Sequence, residues 1–391
     1  MEKSFKSNIS KVYVFSFILG IHTVRGVYIP YMMDWGGLTF FQIMLLQSYF
    51  MFMIFLLEIP SGAIADHIGR NVALMLSGLS VVAAAFMYSI IPNIFLFFVA
   101  ETLWAFSSAL HSGTDQAFLF NTLKTMKKED NLPSILGRIQ TINLVALTIS
   151  APLGSIIAEF ISLQFTMTCL GIVYIFAFIV SLTFKEPKLE IEKTSQKYLT
   201  ILRDGFRELR NNKVLRVLCF DRVFIGILTY FLFWTYQIYL GIVGVPLFLF
   251  GFVTALMNIV NMVFTIVIPW LLKSVKKKLL FLIAVDLTIG IAYVLLGFSI
   301  NAILGIILLL VIVAVGYPRF LIYVNGINKQ IASENRATVL STINMFGSLL
   351  MAVTYPFIGL LVEWNPFIVF IIIGALIVFF TTLTRVKNEY L

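Results

Sequence analysis

Between two long apolar runs stands the stretch Glu58-Ile-Pro60-Ser-Gly62-Ala-Ile-Ala-Asp66-His67-Ile-Gly69-Arg70-Asn71. Gly62 and Gly69 permit a tight turn and close backbone approach, and Asp66 and Arg70 can cap and neutralise the helix ends that meet there. Such a turn suits two helices that slide past one another. The rest of the chain says what those helices are. Of 391 residues, 60% are hydrophobic and only 12% charged, and the mean hydropathy is +0.98. That is far too apolar for an ordinary soluble domain, so the chain belongs in a bilayer.

Twelve apolar runs recur, near residues 11–33, 39–62, 72–91, 94–117, 133–157, 163–184, 214–238, 246–272, 279–299, 302–324, 337–361 and 366–384. Each is close to the roughly 20 residues that cross a hydrocarbon core of about 30 Å. Lysines cluster on one side of this series: Lys3, Lys6 and Lys11 before the first run, Lys124, Lys127 and Lys128 after the fourth, and Lys273 and Lys276 to Lys278 after the eighth. The opposite connections carry no Lys or Arg. By the positive-inside rule both termini are expected in the cytoplasm. The expected location is a plasma membrane, and the high Ile, Phe, Lys and Asn content points to an AT-rich genome and a bacterial inner membrane. The formal charge of +9 then reads as a topology signal and an attraction to anionic lipid. No basic, aromatic-interleaved domain is there to bind nucleic acid, and the first run is too long for a cleaved leader.

Cys169 and Cys219 lie in different runs and read as buried small hydrophobes. His22, His67 and His111 are too scattered for a metal site. No nucleophile-and-base motif, zinc motif or phosphate-cradling loop is present, so neither an enzyme nor a cofactor is expected.

The one long hydrophilic stretch, 185–213, contains an amphipathic segment over 201–210 and separates an N-terminal six-helix bundle, 1–184, from a C-terminal one, 214–391. The linker helix is expected to lie on the headgroups. Pro152 to Glu159-Phe160 in the fifth run repeats the spacing of Pro356 to Glu363-Trp364 in the eleventh, and both runs carry Thr-Ile-Asn, at 141–143 and 342–344. The halves look like a duplication.

At this point the chain resembles the major facilitator superfamily. Its signature between the second and third helices, Gly-x-x-x-Asp-x-x-Gly-Arg-Lys/Arg, is matched by Gly62, Asp66, Gly69 and Arg70, with Asn71 lacking the final charge. The resemblance implies an all-α membrane protein of twelve helices in two pseudo-symmetric bundles, and a gating role for this turn, with Asp66 pairing locally and facing the eleventh helix. Glu58-Ile-Pro60 is similar to a variant in the tetracycline- and macrolide-efflux branches, although Glu58 could equally snorkel to the headgroups. Ala151-Pro152-Leu153-Gly154-Ser155 is a degraded form of the antiporter signature of the fifth helix. Where the fourth helix commonly has Arg followed by Gln-Gly, this chain has Glu101-Thr-Leu-Trp104-Ala105, so that arginine's role has no counterpart here.

A charge in the hydrocarbon costs at least about 2.5–3.5 kcal/mol, so each one asks for a partner or a task. Arg25 in the first helix and Glu101 in the fourth fall at the same depth, and both helices line the central cavity in the family. They are expected to face each other, with His22 one turn below Arg25, either as a proton-coupling pair or as a static ion pair. In the second half Asp221 and Arg222 point about 100° apart, so only one of them faces the cavity; Asp221 is the coupling candidate and Asp286 an interhelical residue. Asp115 with Arg138, and Arg319 with Arg336, are expected at the cytoplasmic gates. Trp104, Tyr230, Trp234, Gln237, Asn258 and Asn261 are candidate cavity residues, a lining suited to a bulky apolar or cationic ligand.

These residues predict a monomeric, proton-coupled exporter of amphipathic small molecules of the multidrug type, working by alternating access. The alternatives are a dedicated metabolite or siderophore exporter and, more remotely, a non-transporting membrane sensor.

Overall fold

The structure is a computed structural model that describes residues 2–186, 198–331 and 336–391. Every one of the twelve apolar runs is helical. Eleven helical spans are long and apolar enough to cross a membrane, and the twelfth run is the shorter helix Pro366–Thr382. The first span is Ser7–Trp35, the second begins the helix Phe40–Ile68, the third is Arg70–Ile90, the fourth Ile94–Thr125, the fifth Glu129–Phe160 and the sixth Leu163–Ser181. The seventh is Lys213–Ile242, the eighth Leu247–Ser274, the ninth Lys278–Phe298, the tenth Ala302–Lys329, and the eleventh lies in the helix Arg336–Trp364. Large apolar side chains such as Phe95, Ile266 and Ile303 stand exposed on these helices, which is where lipid replaces water as the solvent.

Short polar residues set where five of the six even-numbered spans begin, the eighth starting instead behind Pro246. Thr39 and Gln42 exchange side-chain-to-backbone bonds in a capping box ahead of the second. Asn93, Ser162, Asn301 and Asn365 each accept a backbone N–H at the start of the fourth, sixth, tenth and twelfth. The lysine-free connections can therefore be very short. On the other side, the hydrophilic stretch contains the helix Tyr198–Asn211. It does not simply rest on headgroups: a Cβ on Gly205 would meet Thr342 Oγ1 at 1.9 Å, so this helix is pressed onto the start of the eleventh span.

Four spans are broken, the fourth at Ser112 and Gly113, where Gly113 has φ +75° and the chain resumes as the helix Thr114–Thr125. The first leaves α-helical form after Gly20 and continues through a 3-10 turn at Arg25–Val27 and a π turn at Tyr31–Trp35. The seventh is interrupted at Phe231. The tenth changes to a 3-10 turn at Tyr317–Phe320, where Pro318 cannot donate a helical hydrogen bond. Non-helical backbone at membrane depth persists only where protein surrounds it, and these breaks deliver Arg25 and Arg319 to their places.

The chain forms two compact units, residues 1–194 with 247–255, and residues 195–246 with 256–391. In the first, Phe15, Leu74, Phe118, Leu123 and Phe184 form an apolar core, and Ser155 Oγ donates to the Phe248 carbonyl at 2.6 Å. A Cβ on Gly154 would come within 1.6 Å of the Thr23 carbonyl, so the first and fifth spans touch backbone to backbone. In the second unit Gly290 and Gly374 play this part: a Cβ on Gly374 would lie 2.5 Å from the Gly290 carbonyl. Small residues at such crossings let van der Waals contact hold helices together in lipid, where hydrophobic burial no longer drives association.

Candidate functional site

In the first unit four spans converge on one carboxyl group. Glu101 is 5% exposed. Its Oε1 accepts a hydrogen bond from Gln47 Nε2 at 3.0 Å and another from Tyr88 Oη at 2.5 Å. Gln47 Nε2 also donates to Tyr28 Oη at 3.0 Å, and Tyr31 Oη donates to the Tyr88 carbonyl at 2.5 Å. The expected pair of Arg25 with Glu101 is not formed: among the described residues no cationic side chain is within ion-pair distance of Glu101, and its acceptor capacity goes to neutral donors instead. Arg25 sits on the 3-10 turn of the first span, where its backbone N–H donates to the His22 carbonyl at 3.1 Å. The His22 ring lies 5.7 Å from Trp104 and 6.0 Å from Tyr174, and its backbone N–H donates to Ser150 Oγ at 2.9 Å. Trp104 is also near Tyr88, at 6.5 Å between rings, which ties the aromatic cluster to the Glu101 network.

The second unit holds a buried charge cluster. Arg319, 2% exposed, donates to Asp221 Oδ1 at 2.7 Å, to Asp286 Oδ2 at 2.9 Å and, closer still, to Asp286 Oδ1. Asp221 further accepts from Tyr323 Oη and, at 2.6 Å, from Thr384 Oγ1. Asp286 is interhelical, as read from the sequence. Arg319, expected at a cytoplasmic gate, is the centre of a cluster joining the seventh, ninth and tenth spans.

Two cavities flank this cluster. One, of about 500 Å³, is lined by Arg216, Phe220, Asp221, Phe224, Phe380 and Arg385. The other, of about 420 Å³, is lined by Arg222, Tyr230, Tyr317, Phe320, Asn344 and Met351, with Arg319 at its edge. Tyr230 therefore lines the second of these cavities. Trp234 is packed against Phe233 and Tyr355, at 4.9 and 5.9 Å, and Gln237 donates to Tyr236 Oη at 2.8 Å, both buried. Neither borders these cavities. The Nδ2 of Asn258 is buried with no hydrogen-bond partner among the described residues, and the Asn261 carbonyl accepts from Thr265 Oγ1 at 2.7 Å.

At the turn between the second and third spans, Gly69 has φ +96°, which explains why glycine stands there. Glu186, from the end of the sixth span's segment, accepts from the backbone N–H groups of Arg70 at 2.8 Å and Asn71 at 3.2 Å. A carboxylate thus caps the third span's N-terminus. Arg70 Nη1 donates to the Ala117 carbonyl at 2.9 Å. The side chains of Glu58, Asp66 and Arg336, and the surroundings of Gly62, lie outside the described residues. Asp115 does not pair with Arg138: its Oδ2 is 3.7 Å from His111 Nε2, one turn back on the same span, and Arg138 is exposed.

Gln47, Tyr88, Glu186 and Thr384 were not singled out from the sequence. Gln47 had a usable signal, being an amide inside an otherwise apolar run. The other three reach their partners by topology, which no spacing announces.

Solved structures share this architecture. The nucleoside transporter NupG superposes with a TM-score of 0.79 at 14% identity, covering 97% of this chain and 99% of its own. A D-xylose–proton symporter gives 0.71 at 11% identity, covering 98% of each chain. A proton-dependent oligopeptide transporter gives 0.70 at 14% identity, covering 100% of this chain and 99% of its own. No curated protein matches the sequence itself. These likenesses establish the fold alone, while the sequence profile described as Major Facilitator Superfamily matches residues 13–353. The chain is a multi-pass membrane transporter that belongs to the Major Facilitator Superfamily.

Proposed function

We propose that the chain is a proton-coupled secondary transporter that exports amphipathic small molecules by alternating access, with Glu101 as the proton carrier. The observation that carries this reading is the environment of Glu101: a carboxyl group inside a membrane span, held by Gln47 and Tyr88 and paired with no cation among the described residues. An anion so placed is costly, and the two neutral donors can hold the group in either protonation state. A residue that must be charged for part of a cycle and neutral for the rest needs such surroundings. The aromatic cluster of His22, Trp104 and Tyr174 beside it gives an apolar ligand a surface next to the proton site. Two of the structural neighbours are described as proton-coupled carriers, which is compatible with coupling and silent on direction.

The test is proton release from acid-loaded everted vesicles on addition of tetracycline, a macrolide, a lipophilic cation and an aromatic carboxylate, comparing the native chain with Glu101→Gln. Release by one or more compounds that vanishes in the variant is the expected result. Substrate movement that persists at full rate in Glu101→Gln, with its proton flux intact, removes Glu101 from the coupling path.

A further inference from the structure

We infer that the cavity of about 420 Å³ in the second unit is a recognition site for an oxyanion, a carboxylate or phosphate carried on an aromatic or amphipathic body, with Arg222 as its anchor. The inference names the substrate class for the transporter proposed above and rests on that reading for its role in transport, though not for binding itself.

Arg222 lies nine residues beyond Lys213 on the seventh span, about 13 Å along the helix at 1.5 Å per residue. That is deep in one leaflet. A guanidinium at such depth is expensive without a partner. Among the described residues, however, Arg222 makes no ion pair and donates no hydrogen bond; its one contact of note is with the Phe320 ring, at 5.7 Å from the centroid. The neighbouring carboxylate cannot serve, because Asp221 is turned away and holds Arg319, Tyr323 and Thr384. Arg319 borders the same cavity, but its donors are occupied by Asp221 and Asp286. Two carboxylates on one guanidinium leave the cluster a surplus negative charge, which offsets Arg222 at a distance without using its N–H donors.

The cavity therefore presents a planar fork of free donors, suited to bidentate oxyanion binding. Around it stand Tyr230, Tyr317, Phe320 and Met351 for an apolar body, with Asn344 and Ser348 as further polar contacts. No acidic side chain lines it. A lipophilic cation would meet the unpaired Arg222 guanidinium and no carboxylate in the cavity wall, the two acids nearby being engaged by Arg319, so the cationic ligand expected from the aromatic content alone is disfavoured in this cavity.

The experiment is equilibrium binding to the purified full chain in a neutral detergent, by isothermal titration, using three probes that share one ring system: 1-naphthylacetate, 1-naphthyl phosphate and a naphthylmethyl trimethylammonium salt. Native protein is expected to bind at least one of the two anions about tenfold or more tighter than the cation. Arg222→Gln is expected to abolish that preference and Arg222→Lys to keep part of it, while Arg216→Gln, an exposed residue outside this cavity, leaves it unchanged. Equal or tighter binding of the cation by native protein overturns the inference, and this arm needs no variant to fold. Retention of the anion preference in folded Arg222→Gln overturns it as well. Because no proton gradient is involved, anion binding without coupled proton release would refute the transport mechanism above and leave the recognition site standing.

Discussion

Replacing Arg319 by Met should be the most damaging single change in the second unit's charge cluster. Arg319 is 2% exposed and serves Asp286, also 2% exposed, and Asp221. Its removal leaves two carboxylates with no cation between them, Asp286 buried and Asp221 at the wall of the cavity of about 500 Å³. Breaking a buried pair by deleting one partner costs about 3–5 kcal/mol, and here the like-charge contact adds to that. Asp286→Asn is milder: Arg319 keeps its 2.7 Å contact with Asp221, and what disappears is a charge-assisted hydrogen bond worth about 1.5–3 kcal/mol. The triple variant Asp221→Asn, Asp286→Leu, Arg319→Met removes every charge together, and apolar replacement of a complete buried cluster is neutral or stabilising by about 1–4 kcal/mol in favourable cases. The expected order of stability is therefore native and triple variant together, then Asp286→Asn, then Arg319→Met. Reversible unfolding by SDS titration in mixed micelles, followed by tryptophan fluorescence, reads this order directly. If Arg319→Met is no less stable than Asp286→Asn, or if the triple variant is as unstable as Arg319→Met, the cluster is not held by mutual charge compensation and the reasoning fails.

Gly69→Ala forces a side chain onto φ +96° and puts its Cβ 2.6 Å from Glu186 Oε2; a loss of about 1–3 kcal/mol is expected from the backbone alone, checked in the same titration. Glu186→Ala uncaps the N–H groups of Arg70 and Asn71 and should cost about 0.5–2 kcal/mol, with faster hydrogen exchange confined to the first turn of the third span as its signature. Gly154→Val cannot fit against the Thr23 carbonyl, 1.6 Å from a Cβ, so folded yield in detergent should collapse, whereas Gly137→Ala, where a Cβ meets nothing within 4 Å, should leave it unchanged. Asn258→Leu deletes a buried amide nitrogen without a partner among the described residues and should raise stability by about 1 kcal/mol; a fall instead would show that this amide has a partner within the folded protein.

Hydropathy made the architecture legible because the bilayer makes apolar length a physical requirement: it sets the spans, and the Asn, Ser and Thr caps sit where the short connections must turn. The turn at Gly69 was legible for a similar reason, since only glycine tolerates its φ. Side-chain partnerships were not. Glu101 stood out as an intramembrane carboxyl, but matching it to Arg25 by depth assumed that opposite charges find each other. The structure gives it Gln47, 54 residues away in sequence, and Tyr88, 13 away. Depth along a helix is only one of the two coordinates that fix a contact. The other is rotation about the helix axis, and in an apolar span almost nothing in the composition marks it.

Asp221 and Arg222 show what that second coordinate decides. Successive residues on a helix point about 100° apart, so the sequence required that one of the pair face a cavity and the other a neighbouring helix, without saying which. Asp221 is committed to Arg319 and Tyr323 of the tenth span and borders the cavity of about 500 Å³, while Arg222 faces the other cavity, of about 420 Å³, beside Phe320. The choice inverts the chemistry expected of a ligand in that cavity. Had the carboxylate faced it, an aromatic lining with an exposed acid would have selected cations; with the guanidinium there and the acids bound to Arg319, the same aromatics favour anions. A rotation of the seventh span by one residue would exchange the two outcomes, and the three hydrogen bonds that Asp221 accepts, from Arg319 and Tyr323 of the tenth span and from Thr384, are what prevent it. The buried cluster thus acts on recognition from outside the cavity, by holding the helix at the one rotation that presents Arg222.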